Sequence, residues 1–366
     1  MRWLAALAAL AFAVPAAAQD DPAWAGVWEG KVGNSPVRLC VDVWPGGPAR
    51  GAYYYLSALE PIQLSDYDGE GGWIEQAAGN DATALWEFTE QTGTRLRGTW
   101  RQDRRSLPFD LRPVTWTEGE WGGPCSSAAF LEPRVRPAAF AIEPATKDGW
   151  AYVRHLYRPP AHFREETSIE AFSFAPQQPG DAAINATLTA YRPRGAVGDE
   201  FLQCHAGQIA SIGYDGFFDQ LVEPRLVSRA FLTVAEHNDQ SCGGTHPNTW
   251  TVYRTFDRDT GRPIDLYDWI GDPLGPDEAR PLPTRLRDAV LASWPNDSDE
   301  GAQECRDVVA STDFWTLELA RDGISFSPDL PRVVMACGDT VLLTWKDLDP
   351  YLDSEGRAGL ARLRGD

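Results

Sequence analysis

From residue 25 to residue 116 apolar and polar positions alternate in short runs, most of them broken by glycine or proline. A period of two marks strands with one buried face, and no stretch here carries the 3.6-residue period of a helix. The runs predict strands over 25–32, 37–43, 49–56, 73–76, 84–88, 95–100 and 109–114. Seven or so strands at this spacing suggest an antiparallel meander that closes as a small barrel, since closure removes edges that would otherwise pair between molecules.

After residue 118 the pattern changes. Pro124, Pro133, Pro137 and Pro144 punctuate the passage, and 131–145 reads as a linker between a domain at 19–130 and a second at 146–366. The second domain mixes periods. Strand-like runs at 151–157 and 169–174 precede a helical stretch near 197–212, long β segments at 221–236 and 249–256, and closing strands at 315–319, 324–326 and 341–345. Asp257, Asp259, Thr260, Gly261 and Pro263 make a hairpin-type turn. Leu282, Leu286, Val290 and Leu291 stand at helical spacing within 277–294. The fold class expected is therefore two domains, an all-β antiparallel barrel-like one followed by an α+β one. A chain of 366 residues is long enough for two cores.

Composition narrows the partners. Fifteen Trp, 11 Tyr and 15 Phe give apolar bulk that disordered chains lack. The chain has 53 acids against 33 bases, a net charge of −20, and the bases are scattered, which excludes nucleic acid as a partner. Residues 1–18 (Arg2, an apolar run, Pro15, then Ala16-Ala17-Ala18) read as a secretory signal peptide, too short to span a bilayer. The mature chain is expected to be periplasmic or secreted, with no membrane span after cleavage. Six cysteines in an exported chain read as three disulfides. Keeping each closed loop within its own domain narrows the fifteen possible pairings, and the set expected is Cys40–Cys125, Cys204–Cys242 and Cys305–Cys337. No C-x-x-C pair supports zinc, so no metal is assigned.

Candidate chemistry is sparse. G-x-S-x-G, H-E-x-x-H, P-loop and G-x-G-x-x-G strings are missing, so no cofactor and no catalytic residue is assigned. The densest polar cluster is Glu236-His237-Asn238-Asp239, followed by a loop at 241–248. Candidate binding residues are His237, Gly243, Gly244, Thr245, His246 and Asn248. One reading makes the loop a disulfide-stapled β-turn whose histidines satisfy backbone groups; another pairs His237 or His246 with Glu236 or Asp239 as the acid–base apparatus of an envelope hydrolase. In the first domain, Trp28 between Gly26 and Gly30 resembles the opening of lipocalin-like barrels. There Trp28, Tyr53, Tyr55 and Trp100 either fill the barrel or line a cavity for a small apolar ligand.

The loop Gly243-Gly244-Thr245-His246-Pro247-Asn248, the strand ending Phe256-Asp257, the turn Thr260-Gly261 and the segment from Pro263 to Ile270 follow one another in a familiar order. With the later stretches around Asp322-Gly323 and from Val341 to Leu348, they resemble, over about residues 145–352, the extracellular lysozyme-sensing domain of the sigma-V anti-sigma factor. Related domains accompany peptidoglycan polysaccharide deacetylases. The resemblance implies an envelope binding domain without chemistry of its own, and a partner such as a basic muramidase or a cell-wall glycan. The chain departs from that family in Cys242 before the glycines and in Thr245 where alanine is usual. An acidic chain suits a basic partner through electrostatic steering.

Overall fold

The computed structural model describes residues 22–43, 49–66, 72–76, 82–164, 166–270, 281–294 and 300–365. The expected signal peptide at 1–18 lies outside these residues.

Eight antiparallel strands, β1 (Gly26–Val32), β2 (Ser35–Val43), β3 (Ala49–Tyr55), β4 (Ile62–Asp66), β5 (Gly72–Gln76), β6 (Ala82–Gln91), β7 (Leu96–Gln102) and β8 (Arg105–Val114), form a closed barrel in sequence order. The sequence pattern showed seven of them. Strand β4 escaped it because only Ile62 and Leu64 alternate there, too short a run to register. Inside the barrel the aromatic rings interlock. Tyr53 meets Trp86 at 5.0 Å, Trp86 meets Phe109 at 4.7 Å and Trp73 meets Phe88 at 4.6 Å between ring centroids. Trp28, Tyr53 and Trp100 are buried among them and Tyr55 packs alongside, so these rings fill the space that the ligand-carrier reading left for a cavity. Among the described residues, the lumen also holds the buried Glu75 carboxyl group. Glu75 accepts hydrogen bonds from the Tyr53 hydroxyl and the Trp100 indole, both at 2.7 Å, which satisfies a polar group that would otherwise be costly to bury.

Beyond the barrel come a short helix α1 (Ala128–Leu131) and a 3₁₀ turn at Glu132–Arg134. A seven-stranded sheet follows, with β9 (Phe140–Lys147), β10 (Trp150–Tyr157), β11 (Thr167–Ser173), β12 (Phe217–Val227), β13 (Phe231–Ser241), β14 (Asn248–Asp257) and β15 (Pro263–Ile264) in the order β15-β14-β13-β12-β11-β10-β9. The segment 131–145 read as a linker thus holds the 3₁₀ turn and most of β9. Its prolines mark turns and an edge strand, where a missing N–H costs nothing. The β run expected over 221–236 is two strands joined by a turn at Ser228, whose hydroxyl accepts from the Phe231 N–H. Strands β11 and β12 are parallel and are joined through helices α2 (Asp181–Thr189) and α3 (Glu200–Ile212), since a parallel pair needs a long crossover. Sequence periodicity found α3 but not α2.

The rest forms a third layer. Helices α4 (Thr284–Ala292) and α5 (Glu300–Ala310), a three-stranded sheet of β16 (Trp315–Leu319), β17 (Gly323–Pro328) and β18 (Val341–Thr344), and helices α6 (Trp345–Leu348) and α7 (Ser354–Arg364) complete the chain. They share one core around Phe231, Trp269, Leu286, Val290 and Phe326. The expected helix at 277–294 is α4, beginning at Thr284; positions 271–280 lie outside the described residues. All three disulfides pair as expected.

Barrel and sheet meet in a common apolar cluster. Val27, Cys40, Ala52 and Tyr54 on the barrel's outer wall pack with Phe130 and Leu131 of α1 and with Ala206 and Ile209 of α3. A buried arginine locks this seam. Arg134 grips Asp215 with two hydrogen bonds, 2.9 and 2.5 Å, and donates from Nε to the Leu59 carbonyl at 2.9 Å. His162 contacts the Arg134 carbonyl at 2.9 Å, and His205 lies 3.6 Å from Asp215 and 2.8 Å from the Thr167 hydroxyl.

Candidate functional site

The loop singled out by sequence is the tip of the β13–β14 hairpin, and both of its stems are fixed. On the β13 side, Cys242 is bonded to Cys204 of α3. The Gln208 side chain, one turn further along that helix, accepts from the Gly243 N–H at 2.6 Å and the Ser241 hydroxyl at 3.3 Å. Gly243 sits at φ +100°, and a Cβ there would collide with the Gly207 carbonyl, so only glycine permits the tip to lie this close to α3. On the β14 side, Arg332 donates to the Pro247 carbonyl at 2.9 Å. Gly244, Thr245 and His246 project between these anchors, exposed, and Asn248 opens β14.

Behind the tip, strand register decides what shares a face. Leu221, His237 and Thr251 align across β12, β13 and β14, as do Asp219, Asp239 and Thr249. Aligned residues point to the same side and neighbours along a strand to opposite sides. His237, Asp239, Asp219, Glu223 and Glu170 therefore lie on one face, opposite to the face carrying α2 and α3. His237 contacts the Thr251 hydroxyl through Nδ1 at 2.8 Å and lies 3.7 Å from Glu223 through Nε2. Asp239 accepts from the Thr249 hydroxyl at 2.7 Å. A hollow of about 300 Å³ runs between Glu170, Asp219, His237, Asp239 and Thr251. Burial, and then the neighbouring Asp239, pushes the Asp219 carboxyl above its ordinary value, whereas Glu170 is paired with Arg154 and Glu223 with Arg225.

Glu236 faces the other way. It is buried beneath α2 and α3, where it accepts from the Tyr191 hydroxyl at 2.8 Å and from the Asn238 amide at 3.1 Å. Burial and this carboxylate push the Tyr191 phenol up to about 12. The acid–base pairing of His237 with Glu236 consequently fails on geometry, because adjacent strand residues cannot meet on one side of a sheet. His246 is remote as well. The last rung before the tip, Gln240 opposite Asn248, lies three residues beyond His237, or about 10 Å at ~3.4 Å per residue. A concavity of about 600 Å³ lies on the barrel between β1, β2 and β8. It is lined by the alternating charges of Glu29, Lys31, Asp110 and Arg112.

Sequence reading found the tip and His237 but not Gln208, Arg332, Asp219, Glu223 or Glu170. Each comes from another element. Period-two alternation shows which residues share a face within one strand but not which strand lies next to it.

No protein-family model matches the chain, and no curated protein matches it. Among solved structures, a member of the DUF3298 family from Bacteroides fragilis is similar at 14% identity and a TM-score of 0.40, over 63% of this chain and 96% of that one. A DUF3298 family protein from Pseudomonas aeruginosa is similar at 14% identity and a TM-score of 0.37, over 60% and 97%. DUF3298 is the family of the sigma-V type extracellular domain.

Proposed function

We propose that this chain is an exported binding protein of the cell envelope, recognising a protein or glycan partner and, in the sharpest form, a basic lysozyme-like muramidase. Three disulfides suit an oxidising compartment. The observation that carries the reading is the hairpin tip. Residues 244–246 are held out by a disulfide and Gln208 on one stem and by Arg332 on the other, beside a face where Asp219 and Asp239 adjoin and where Glu170 and Glu223 are paired with Arg154 and Arg225. Such a tip loses little freedom on binding, and the acidic face beside it attracts a basic partner at low ionic strength.

Biolayer interferometry of immobilised protein with a basic muramidase tests this. Binding is expected at about 50 mM salt and should weaken about tenfold or more at ~500 mM as screening shortens the reach of the charges. The pair Asp219→Asn and Asp239→Asn should slow association, and His246→Ala should speed dissociation. No binding at about 50 mM salt overturns the muramidase form of the reading.

A further inference from the structure

Strand β14 ends the sheet for most of its length, because β15 covers it only at Thr255 and Phe256. Among the described residues no strand pairs with 248–254 on that side. The Asp257 N–H points to β15, donating to the Arg262 carbonyl at 2.9 Å. Backbone groups of alternate residues point the same way in a regular strand, and the β13–β14 register runs without a shift. The N–H and C=O of Tyr253, Thr251 and Thr249 therefore face outward too.

A groove of about 340 Å³ runs along this edge, its far wall formed by Ser327, Pro328, Leu330 and Met335. Edge strands are ordinarily blunted by lysine, proline or a bulge. Here the edge reads Thr-Trp-Thr-Val-Tyr over 249–253, uncharged and β-branched or aromatic, and the charge that follows, Arg254, turns toward Glu236 on the helix-bearing face. Among the described residues lining the groove Asp329 is charged and exposed, while Arg332 at the groove's end is already engaged by the Pro247 carbonyl and the Thr249 hydroxyl.

We propose that the β14 edge captures an extended, basic peptide segment of a partner protein as an added strand. The outward N–H and C=O groups of Thr249, Thr251 and Tyr253 supply the ladder, and Asp329 favours lysine or arginine in the segment. In this mode main-chain bonds give affinity and the side-chain walls give selectivity. The inference stands apart from the hairpin-tip reading, and either survives failure of the other.

Fluorescence anisotropy with a labelled octapeptide of alternating valine and lysine tests it on the full mature chain. Saturable binding below about 1 mM is expected, at least tenfold weaker for the same peptide N-methylated at alternate backbone nitrogens and for its valine–glutamate counterpart. Thr251→Pro removes one outward N–H without touching the β13 ladder, as edge strands tolerate. It should weaken binding at least tenfold, while Thr251→Val, which loses the same His237 contact but keeps the N–H, should bind as the parent does. No saturation by about 1 mM, equal binding of the N-methylated peptide, or indifference to Thr251→Pro overturns the proposal. Displacement of the peptide by soluble peptidoglycan strands assigns the groove to a glycan instead. Sedimentation as a dimer that Thr251→Pro dissociates assigns the edge to a second copy of the chain.

Discussion

Arg134 shows how one side chain can hold two regions together. Its guanidinium is fully buried, lies 4.4 Å from the Phe163 ring centroid and joins the Asp215 carboxylate to the Leu59 carbonyl. Arg134→Met leaves Asp215 buried without its partner, and removal of one member of a buried pair typically costs about 3–5 kcal/mol; urea denaturation should register a loss of that size. The two histidines beside this pair set an acid limit. Burial, and then the charge of Arg134, holds His162 down at about 4, and burial, Arg134 and His162 hold His205 down at about 3. In the unfolded chain an imidazole titrates near ~6.5. Below that pH the unfolded state takes up protons that these histidines refuse, so their contribution is present above about pH 6.5 and is lost as pH falls toward 4. Asp215, raised by burial against the pull of Arg134, opposes this trend with one group against two. Urea midpoints measured at about pH 7 and about pH 5 should fall on acidification. The fall should be shallower in His162→Gln, and an unchanged slope would remove His162 from the account.

At the scale of elements, the β13–β14 hairpin draws its order from α3. The helix supplies Cys204, Gln208 and the bare backbone of Gly207 against which Gly243 rests. The disulfide joins residues 38 apart in sequence, and closing such a loop contributes about 2–4 kcal/mol in the chain-entropy view. Replacing both Cys204 and Cys242 with serine should leave the barrel folded. Amide exchange should then quicken across 241–249 with the barrel strands unchanged, and a tip still protected in the double variant would show that Gln208 and Arg332 suffice to hold it.

Across the whole molecule, α3 also lies against the barrel. Ala206 and Ile209 are buried with Val27, Ala52 and Tyr54 of the barrel wall, so one helix touches the barrel on one side and orders the hairpin tip on another. Ile209→Ala should destabilise by about 2–4 kcal/mol through the cavity it opens. Because the contact is shared, barrel and sheet should lose stability together, with calorimetry showing one shifted transition. Two separating transitions, only one of them shifted, would mean that the seam contributes little.

Much of this was legible in the residues themselves. Alternation over residues 25–116 specified β-structure because side chains on a strand must choose between a wet and a dry side. Even cysteine number with in-domain loop closure narrowed the disulfides to a few pairings that include the one found, and glycines beside Cys242 marked the tip. Other features were settled only when the chain was packed. Strand β4 is too short to declare itself, and the prolines of 131–145 do not say whether they interrupt a linker or border a strand. Glu236 and His237 are neighbours in sequence but lie on opposite sides of the sheet. Which of them meets Asp219, Glu223 or Tyr191 depends on strand order and register, and these are fixed by contacts between residues far apart along the chain.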